Sequence, residues 1–108
     1  MKQNPITKPA KIVVEQFEGW PKAMKRTLED CVAEALELYK EADKETIAEA
    51  GMFRFDKFKN FQFEIDLLKW TEFKHYAIDN FQQDRDIALT IALSCFNEKY
   101  TKILSEAF

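Results

Sequence analysis

One segment of this chain, residues 53–81, is dense in aromatic side chains and contains neither glycine nor proline. It holds seven Phe, one Trp and one Tyr in 29 residues, interleaved with charged side chains. Because Gly and Pro are the residues that most often interrupt regular structure, their absence indicates helix or strand over much of this segment. So many aromatic side chains must also be buried, either in the protein's own core or against a partner.

The middle of this segment fits two kinds of structure. Residues 61–67, FQFEIDL, alternate apolar and polar side chains, which is typical of a half-buried strand. The run then continues without a breaker into LKWTEFKHYAIDNF, and one helical face would carry Phe63, Leu67, Trp70, Phe73, Ala77 and Phe81. We therefore expect a helix here. The rival is an α+β fold with a small antiparallel sheet built from residues 11–17 and 53–67.

Two further helices are predicted on either side of the aromatic segment. From Pro21, which suits a first helical turn, apolar residues recur at steps of three and four. Gly51 ends this helical run, with a break near Asp43. The last helix starts near Asp84 or Asp86, either of which can cap it.

We predict an extended arm for the first 20 residues. Pro5, Pro9 and Pro21 favour extended backbone before each ring, and the β-branched residues of KIVVEQF, 11–17, could form one short strand. The predicted fold is all-α: a single domain, residues 1–108, with an extended basic arm at 1–20 and a small three- to four-helix bundle at 21–108.

Charge excludes some partners and leaves others open. Sixteen basic against nineteen acidic residues give a net charge of -3, which lacks the positive footprint of a duplex DNA binder. The charge is uneven, because residues 1–26 carry six Lys or Arg against two Glu, whereas residues 27–50 carry eight acids against two Lys. On the helix after Pro21, an acidic stripe follows helical spacing: Asp30, Glu34, Glu37 and Glu41.

The function that these features favour is non-enzymatic protein binding by an adaptor, inhibitor or assembly factor. The expected aromatic anchors are Phe53, Phe55, Phe58 and Trp70, with the acidic stripe orienting a partner of unknown identity or forming an ordinary solvated face. Two of the predicted helices would be apolar on more than one side, so we also expect a homodimer. No catalytic signature, phosphate loop or zinc spacing occurs in the sequence, and we expect no enzymatic activity and no cofactor.

Two alternatives depend on other side chains. The stretch Phe53–Phe63 interleaves its rings with Arg54, Lys57 and Lys59, as a platform for single-stranded nucleic acid would, although Asp56 interrupts the basic run. Separately, Glu72, His75 and Asp79 share one side of a helix. With only one His in the chain, a carboxylate and His metal site would need a symmetric dimer.

The two cysteines, Cys31 and Cys95, both fall in apolar helical surroundings. No apolar stretch resembles a signal peptide, so we expect a cytoplasmic protein with two reduced, buried thiols, and a Cys31–Cys95 disulfide is the alternative. No run approaches 18 apolar residues, and we expect no membrane span.

Overall fold

The computed structural model describes residues 1–107 and is mostly helical, with short antiparallel strand pairs. The prediction of a mostly helical chain is confirmed, and the α+β rival is right that strands are present. Within the described residues the elements are, in chain order, β1 (Lys2–Gln3), β2 (Ile6–Thr7), α1 (Lys11–Phe17), α2 (Trp20–Met24), α3 (Leu28–Glu41), α4 (Lys44–Ala50), β3 (Phe61–Gln62), β4 (Ile65–Asp66), α5 (Leu67–Phe81) and α6 (Arg85–Glu106).

The strands form two antiparallel two-stranded sheets that follow one another along a ribbon, in which residues 1–11 run beside residues 57–67. β1 pairs with β4, β2 pairs with β3, and an isolated bridge continues the same pairing. Each step forward in the first segment is matched by one step back in the second, so no residue is inserted anywhere. The matched pairs are Lys2 with Asp66, Gln3 with Ile65, Ile6 with Gln62, Thr7 with Phe61, and Ala10 with Phe58.

Two prolines explain why this ribbon is divided into short strands. Pro5 and Pro9 lie in the gaps between the paired segments, and a proline has no N–H to donate to the facing strand. The carbonyl of Pro9 still accepts a hydrogen bond from the Lys59 N–H at 3.0 Å. The prolines therefore remove single hydrogen bonds without shifting the register.

Residues 61–66 carry the short strands β3 and β4, so the helix expected there is wrong. Phe61, Phe63 and Ile65 are buried, whereas Gln62 and Glu64 are exposed, as the alternating pattern predicts for a half-buried strand. Helix α5 starts only at Leu67, because the Asp66 side chain accepts a hydrogen bond from the Lys69 N–H and caps it. The rival α+β fold was correct about this strand but wrong about its partner.

Residues 11–17 form helix α1, not a strand, and the extended arm is therefore only residues 1–10. Val13, Val14 and Phe17 are buried at helical spacing, while Ile12 points outward and is 70% exposed. α1 packs against α6, and this contact outweighs the β preference of its branched side chains. The boundary expected at residue 21 also moves, because Trp20 already begins the short helix α2.

The remaining helix limits follow side-chain caps. Thr27 caps α3, and Asp43 caps α4, which confirms the break predicted there. Of the two candidate caps for the last helix, Asp84 does the capping, because its carboxylate accepts hydrogen bonds from the N–H groups of Asp86 and Ile87. Within residues 1–107 no helix is both long and apolar enough to cross a membrane.

Helix α6 lies at the centre of the fold, with α1 and α3 packed against it. Most of the rings that the sequence concentrates in residues 53–81 belong to one apolar cluster that draws on the ribbon and the helices. They meet edge to face or offset, with ring centroids 5.0–6.0 Å apart in the core pairs Phe17–Phe96, Phe17–Phe61, Phe61–Phe63, Phe63–Trp70, Trp70–Phe73 and Tyr39–Phe73. The core thus accounts for most of the aromatic content.

Candidate functional site

A loop between α4 and the ribbon carries the aromatic side chains that the core does not absorb. We call residues 52–60 the aromatic loop. It starts where Gly51 ends α4, and this position has no room for a side chain, since a Cβ there would collide with Nε2 of Gln83. The glycine thus allows the loop to leave the helix against a packed neighbour.

A buried polar network fixes that starting point. The Tyr39 hydroxyl donates to Oε1 of Gln83 at 2.6 Å, and Nε2 of Gln83 donates to the carbonyl of Ile47 at 3.2 Å. Burial raises the pKa of Tyr39, which keeps its hydroxyl protonated as the donor. Since Ile47 belongs to α4, the network ties the last turn of that helix to α3 and to the link between α5 and α6.

Three phenylalanines of the aromatic loop occupy different environments. Phe53 is 65% exposed and Phe58 is 51% exposed, whereas Phe55 is partly buried against the core cluster. The rings of Phe53 and Phe55 contact each other, with centroids 4.7 Å apart. The loop therefore presents a supported pair of rings and a separate third ring.

Two adjoining grooves lie beside these rings. The first groove, of about 380 Å³, lies between the aromatic loop and the start of α6, and is lined by Phe53, Phe58 and Ile87 among others. The second, of about 360 Å³, shares Phe53 and extends along α6 to Ile91 and Cys95. Both grooves are mainly apolar, as sites that accept another molecule's side chains usually are.

Trp70, the fourth expected anchor, lies in the core. It is 1% exposed and stacks on Phe73 with ring centroids 5.6 Å apart. A side chain with so little exposed surface cannot contact a partner without unfolding of the surrounding helix. Of the four expected anchors, Phe53 and Phe58 are therefore exposed, Phe55 is partly buried, and Trp70 is buried.

One residue of the acidic stripe on α3, Glu34, is bonded to other side chains, and the remaining members are exposed. Glu34 accepts hydrogen bonds from the Tyr100 hydroxyl at 2.6 Å, from Nη1 of Arg26 at 2.8 Å and from Nζ of Lys99 at 3.0 Å. Burial opposes ionisation of Glu34, but these three donors outweigh it and hold the pKa of the carboxyl below its usual value. Glu34 is thus a structural residue that joins α3 to α6.

The other members of the stripe, Asp30, Glu37 and Glu41, are exposed. Glu37 pairs with Lys40 at 3.3 Å, as an ordinary contact along one helix. None of the four acids lines the two grooves beside the aromatic loop. The structure therefore does not bring the acidic stripe into the aromatic site.

No protein-family model, curated protein or solved structure matches this chain. Its function is therefore inferred from the chemistry of its exposed side chains. The aromatic loop is the strongest candidate, because it combines exposed rings with adjoining apolar grooves.

The three basic residues of the loop differ in whether they form an ion pair. Arg54 and Lys57 are exposed and make no ion pair with other residues in the range 1–107. Lys59 instead binds Glu18 at 2.8 Å, and this hydrogen bond raises the pKa of Lys59. The loop therefore offers two unpaired cations beside its exposed rings.

The candidate metal ligands and the two cysteines lie outside the aromatic loop. Glu72, His75 and Asp79 are exposed on α5, and residues 1–107 contain no group of three side chains placed to hold a metal ion.

Cys31 and Cys95 are both free thiols, with Cys31 buried and Cys95 partly buried. Burial raises the pKa of both cysteines, so their thiols are predominantly protonated at neutral pH.

The site predicted from the sequence did not include two exposed apolar residues beside the loop. Ile12 lines a shallow depression that contains Phe53 and Phe55, and Ile87 lines the first groove. A helical reading of residues 11–17 would have placed Ile12 outside the buried set of Val13, Val14 and Phe17. Helical spacing puts Ile87 away from the side of the last helix that Leu89 and Leu93 occupy, and this signal could have identified it.

Proposed function

We propose that this protein is a non-enzymatic protein-binding module, an adaptor, inhibitor or assembly factor that acts through the aromatic loop. One observation carries the proposal: Phe53 and Phe58 are 65% and 51% exposed and line the same apolar groove. Exposed aromatic side chains that flank a groove are the usual anchors of protein contacts. Within residues 1–107 every other Phe, Tyr and Trp side chain is buried or partly buried, so these two stand out.

The rim of the first groove carries both signs of charge. Lys8 and Arg54 line it together with Asp84 and Asp86. Mixed charges around an apolar centre orient a partner and exclude partners of the wrong polarity. The exposed carboxylates of the acidic stripe lie outside this surface, and we assign them a secondary role in long-range orientation.

Affinity capture tests the proposal. The wild-type chain, immobilised in a lysate of its native source, is expected to retain a partner that Phe53→Ala and Phe58→Ala lose. Ile6→Ala is the matched control, because Ile6 is 64% exposed on β2 and lines neither groove. Equal capture by all four proteins, or by none, would contradict a contact surface at the aromatic loop.

A second function has one observation in its favour. Arg54 and Lys57 are unpaired cations beside Phe53, which is the combination that binds single-stranded nucleic acid through stacking and phosphate contacts. Fluorescent oligonucleotides measured at low and high salt distinguish it from protein binding. Binding that weakens with salt and with Arg54→Ala supports this function, and absence of binding at low salt excludes it.

A homodimer in the cytoplasm completes the proposal. Its support is a set of apolar side chains that remain exposed on the two longest helices, away from the aromatic loop. They are Leu68 and Ile78 on α5 and Ile103 and Leu104 on α6. A second copy of the chain would cover such side chains with the same surface on both protomers.

A further inference from the structure

The ribbon turns one row of backbone groups away from its own partner strand. In an antiparallel pair, successive residues direct their N–H and C=O groups alternately toward the facing strand and away from it. The Lys11 N–H donates to the Lys57 carbonyl at 2.9 Å, and the Lys59 N–H donates to the Pro9 carbonyl at 3.0 Å. The odd-numbered residues thus face the partner strand. In the second segment, the backbone groups of residues 58, 60, 62 and 64 point the other way.

The outer edge of the first segment is closed by α6. The Ala10 N–H donates to Oγ1 of Thr90 at 3.0 Å, and the Lys8 N–H donates to Oδ1 of Asp86 at 3.1 Å. Side-chain groups of one helix therefore take the place of a further strand on this side. Nη2 of Arg85 completes the cover by donating to the Ile6 carbonyl at 2.8 Å.

The other outer edge has no such hydrogen-bonded cover, and the start of α3, residues 27–29, lines a shallow depression beside Gln62 and Glu64. We call Phe58, Asn60, Gln62 and Glu64 the open edge. Apart from the pairing with residues 1–11, their backbone groups make no hydrogen bond within residues 1–107, and all four residues are exposed. A row of unpaired N–H and C=O groups at strand spacing is a template for another strand.

We propose that the open edge binds an extended segment of a different protein as an added antiparallel strand. The inference rests on the proposed function and names the form of its partner. Backbone hydrogen bonds supply the attachment, and side chains supply the choice of sequence. Antiparallel addition continues the direction of the ribbon and is the stronger of the two pairings.

The side chains at the two ends of the open edge define the partner's chemistry. Glu64 lies at one end and makes no ion pair within residues 1–107, whereas Phe58 lies at the other end beside a groove whose charges are mixed. The complementary strand carries Lys or Arg opposite Glu64 and an apolar side chain opposite Phe58. Because the pairing is antiparallel, the basic residue comes first in the partner's sequence.

A second copy of this chain fits the open edge poorly. A two-fold antiparallel pairing that uses all four residues places Phe58 opposite Glu64 and Asn60 opposite Gln62. That arrangement makes neither a ring pair nor an ion pair, and it leaves a carboxylate against each phenyl ring. A different protein's strand can satisfy both ends, so it is the occupant to which the proposal commits.

Peptides selected from a displayed random library, with members long enough to span residues 58–64, provide the probe. A selected peptide is synthesised, and amide hydrogen exchange is followed by NMR with and without it. In the free protein, the amides of Lys59 and Phe61 exchange slowly because they face the first segment, whereas those of the open edge exchange fast. Peptide binding is expected to slow the open-edge amides and leave the slow ones unchanged.

Asn60→Pro removes one outward N–H without touching the pairing to residues 1–11, and edge strands tolerate proline. We expect it to weaken peptide binding about tenfold, whereas Asn60→Ala, which keeps the N–H, binds as the wild type does. Circular dichroism and thermal melting of both variants establish that the fold is kept. Asn60→Lys serves as a second variant if the proline variant unfolds, since a long cation at this edge obstructs strand addition while keeping every backbone group.

The outcomes separate this inference from the proposed function. Failure to select any peptide overturns strand addition. A selected peptide that is lost with Phe53→Ala but leaves the open-edge amides fast overturns strand addition and supports the aromatic loop. Binding that is lost with Asn60→Pro and unchanged by Phe53→Ala supports strand addition and removes Phe53 from the proposed function. Protection of the same amides in a dimer without peptide assigns the edge to a second copy and overturns the proposal.

Discussion

At the scale of single residues, exposure separates the aromatic side chains that we propose to bind a partner from those that hold the fold. Trp70→Ala removes a ring that is 1% exposed and is expected to lower the free energy of unfolding by about 3–5 kcal/mol. Phe53→Ala removes a ring that is 65% exposed and is expected to change it by about 0.5 kcal/mol or less. Urea unfolding of both variants measures the difference. Similar losses in the two would contradict the placement of these rings.

The two glycines provide a second pair of substitutions. Gly51→Ala is expected to lower the free energy of unfolding by about 1–3 kcal/mol, because its Cβ displaces Gln83 and breaks hydrogen bonds to Tyr39 and Ile47. Gly19→Ala meets only the Gln16 carbonyl at 3.7 Å and is expected to be neutral or to stabilise the protein by about 0.5 kcal/mol. Thermal melting compares them. A Gly51→Ala variant as stable as the wild type would show that Gln83 moves freely.

Glu34 makes stability depend on pH. Its folded pKa lies below the unfolded value of about 4.3, so its contribution is complete above that pH and is lost as the pH falls through the lower folded value. Glu34→Gln is expected to reduce stability at pH 7 by about 1–3 kcal/mol. The difference from the wild type should shrink as the pH is lowered toward 3, as measured by urea unfolding across the acid range.

Glu37→Gln is the control for this effect. Glu37 lies on the same helix but is exposed and pairs only with Lys40, so its replacement is expected to change stability little at any pH. A gap between wild type and Glu34→Gln that stays constant down to pH 3 would contradict the role of the carboxylate charge.

At the scale of elements, the sequence predicted helices better than it predicted how segments pair. The start of α6 at Asp84 and the break at Asp43 were predictable, because caps act within one turn of the chain. Residues 61–66 fit both a strand and a helix face. The choice depends on pairing with residues 2–7, which are more than 50 positions away and show no strand pattern of their own.

The candidate site shows the same limit. The sequence named Phe53, Phe55 and Phe58 as anchors; Phe53 and Phe58 are exposed and Phe55 is partly buried, and their role in binding stays a prediction. That Trp70 is buried while Phe53 is not depends on which surfaces the ribbon and α6 cover, and local spacing does not encode this. Glu34 belongs to the acidic stripe by spacing, but its partner Tyr100 lies 66 positions away on α6.

The closed edge of the ribbon provides a test at this scale. Thr90→Val keeps the shape of a side chain that is 5% exposed but leaves the Ala10 N–H without its acceptor. We expect a loss of about 1–3 kcal/mol in the free energy of unfolding. Thr101→Val is the control, because Thr101 is exposed and water can replace its contact with Gln16. Equal effects of the two substitutions, measured by urea unfolding, would contradict closure of this edge by α6.

At the scale of the whole molecule, the aromatic surplus is smaller than the sequence suggested, since most rings pack inward. The apolar side chains that stay exposed on α5 and α6 are aliphatic, and they are the basis for the proposed homodimer. Light scattering is expected to give twice the chain mass of 12.8 kDa, and Ile78→Glu is expected to return the protein to one chain. A wild-type mass of 12.8 kDa at high concentration would contradict the dimer.

The ribbon also constrains the order in which this protein can form. Residues 1–11 leave the ribosome before the segment they pair with, which is made more than 40 residues later, so they must wait unpaired. Closing so long a loop is slow compared with forming the helices between its ends. The nascent chain therefore passes through a stage in which helices exist while residues 1–11 are still unpaired and open to any other strand that reaches them first.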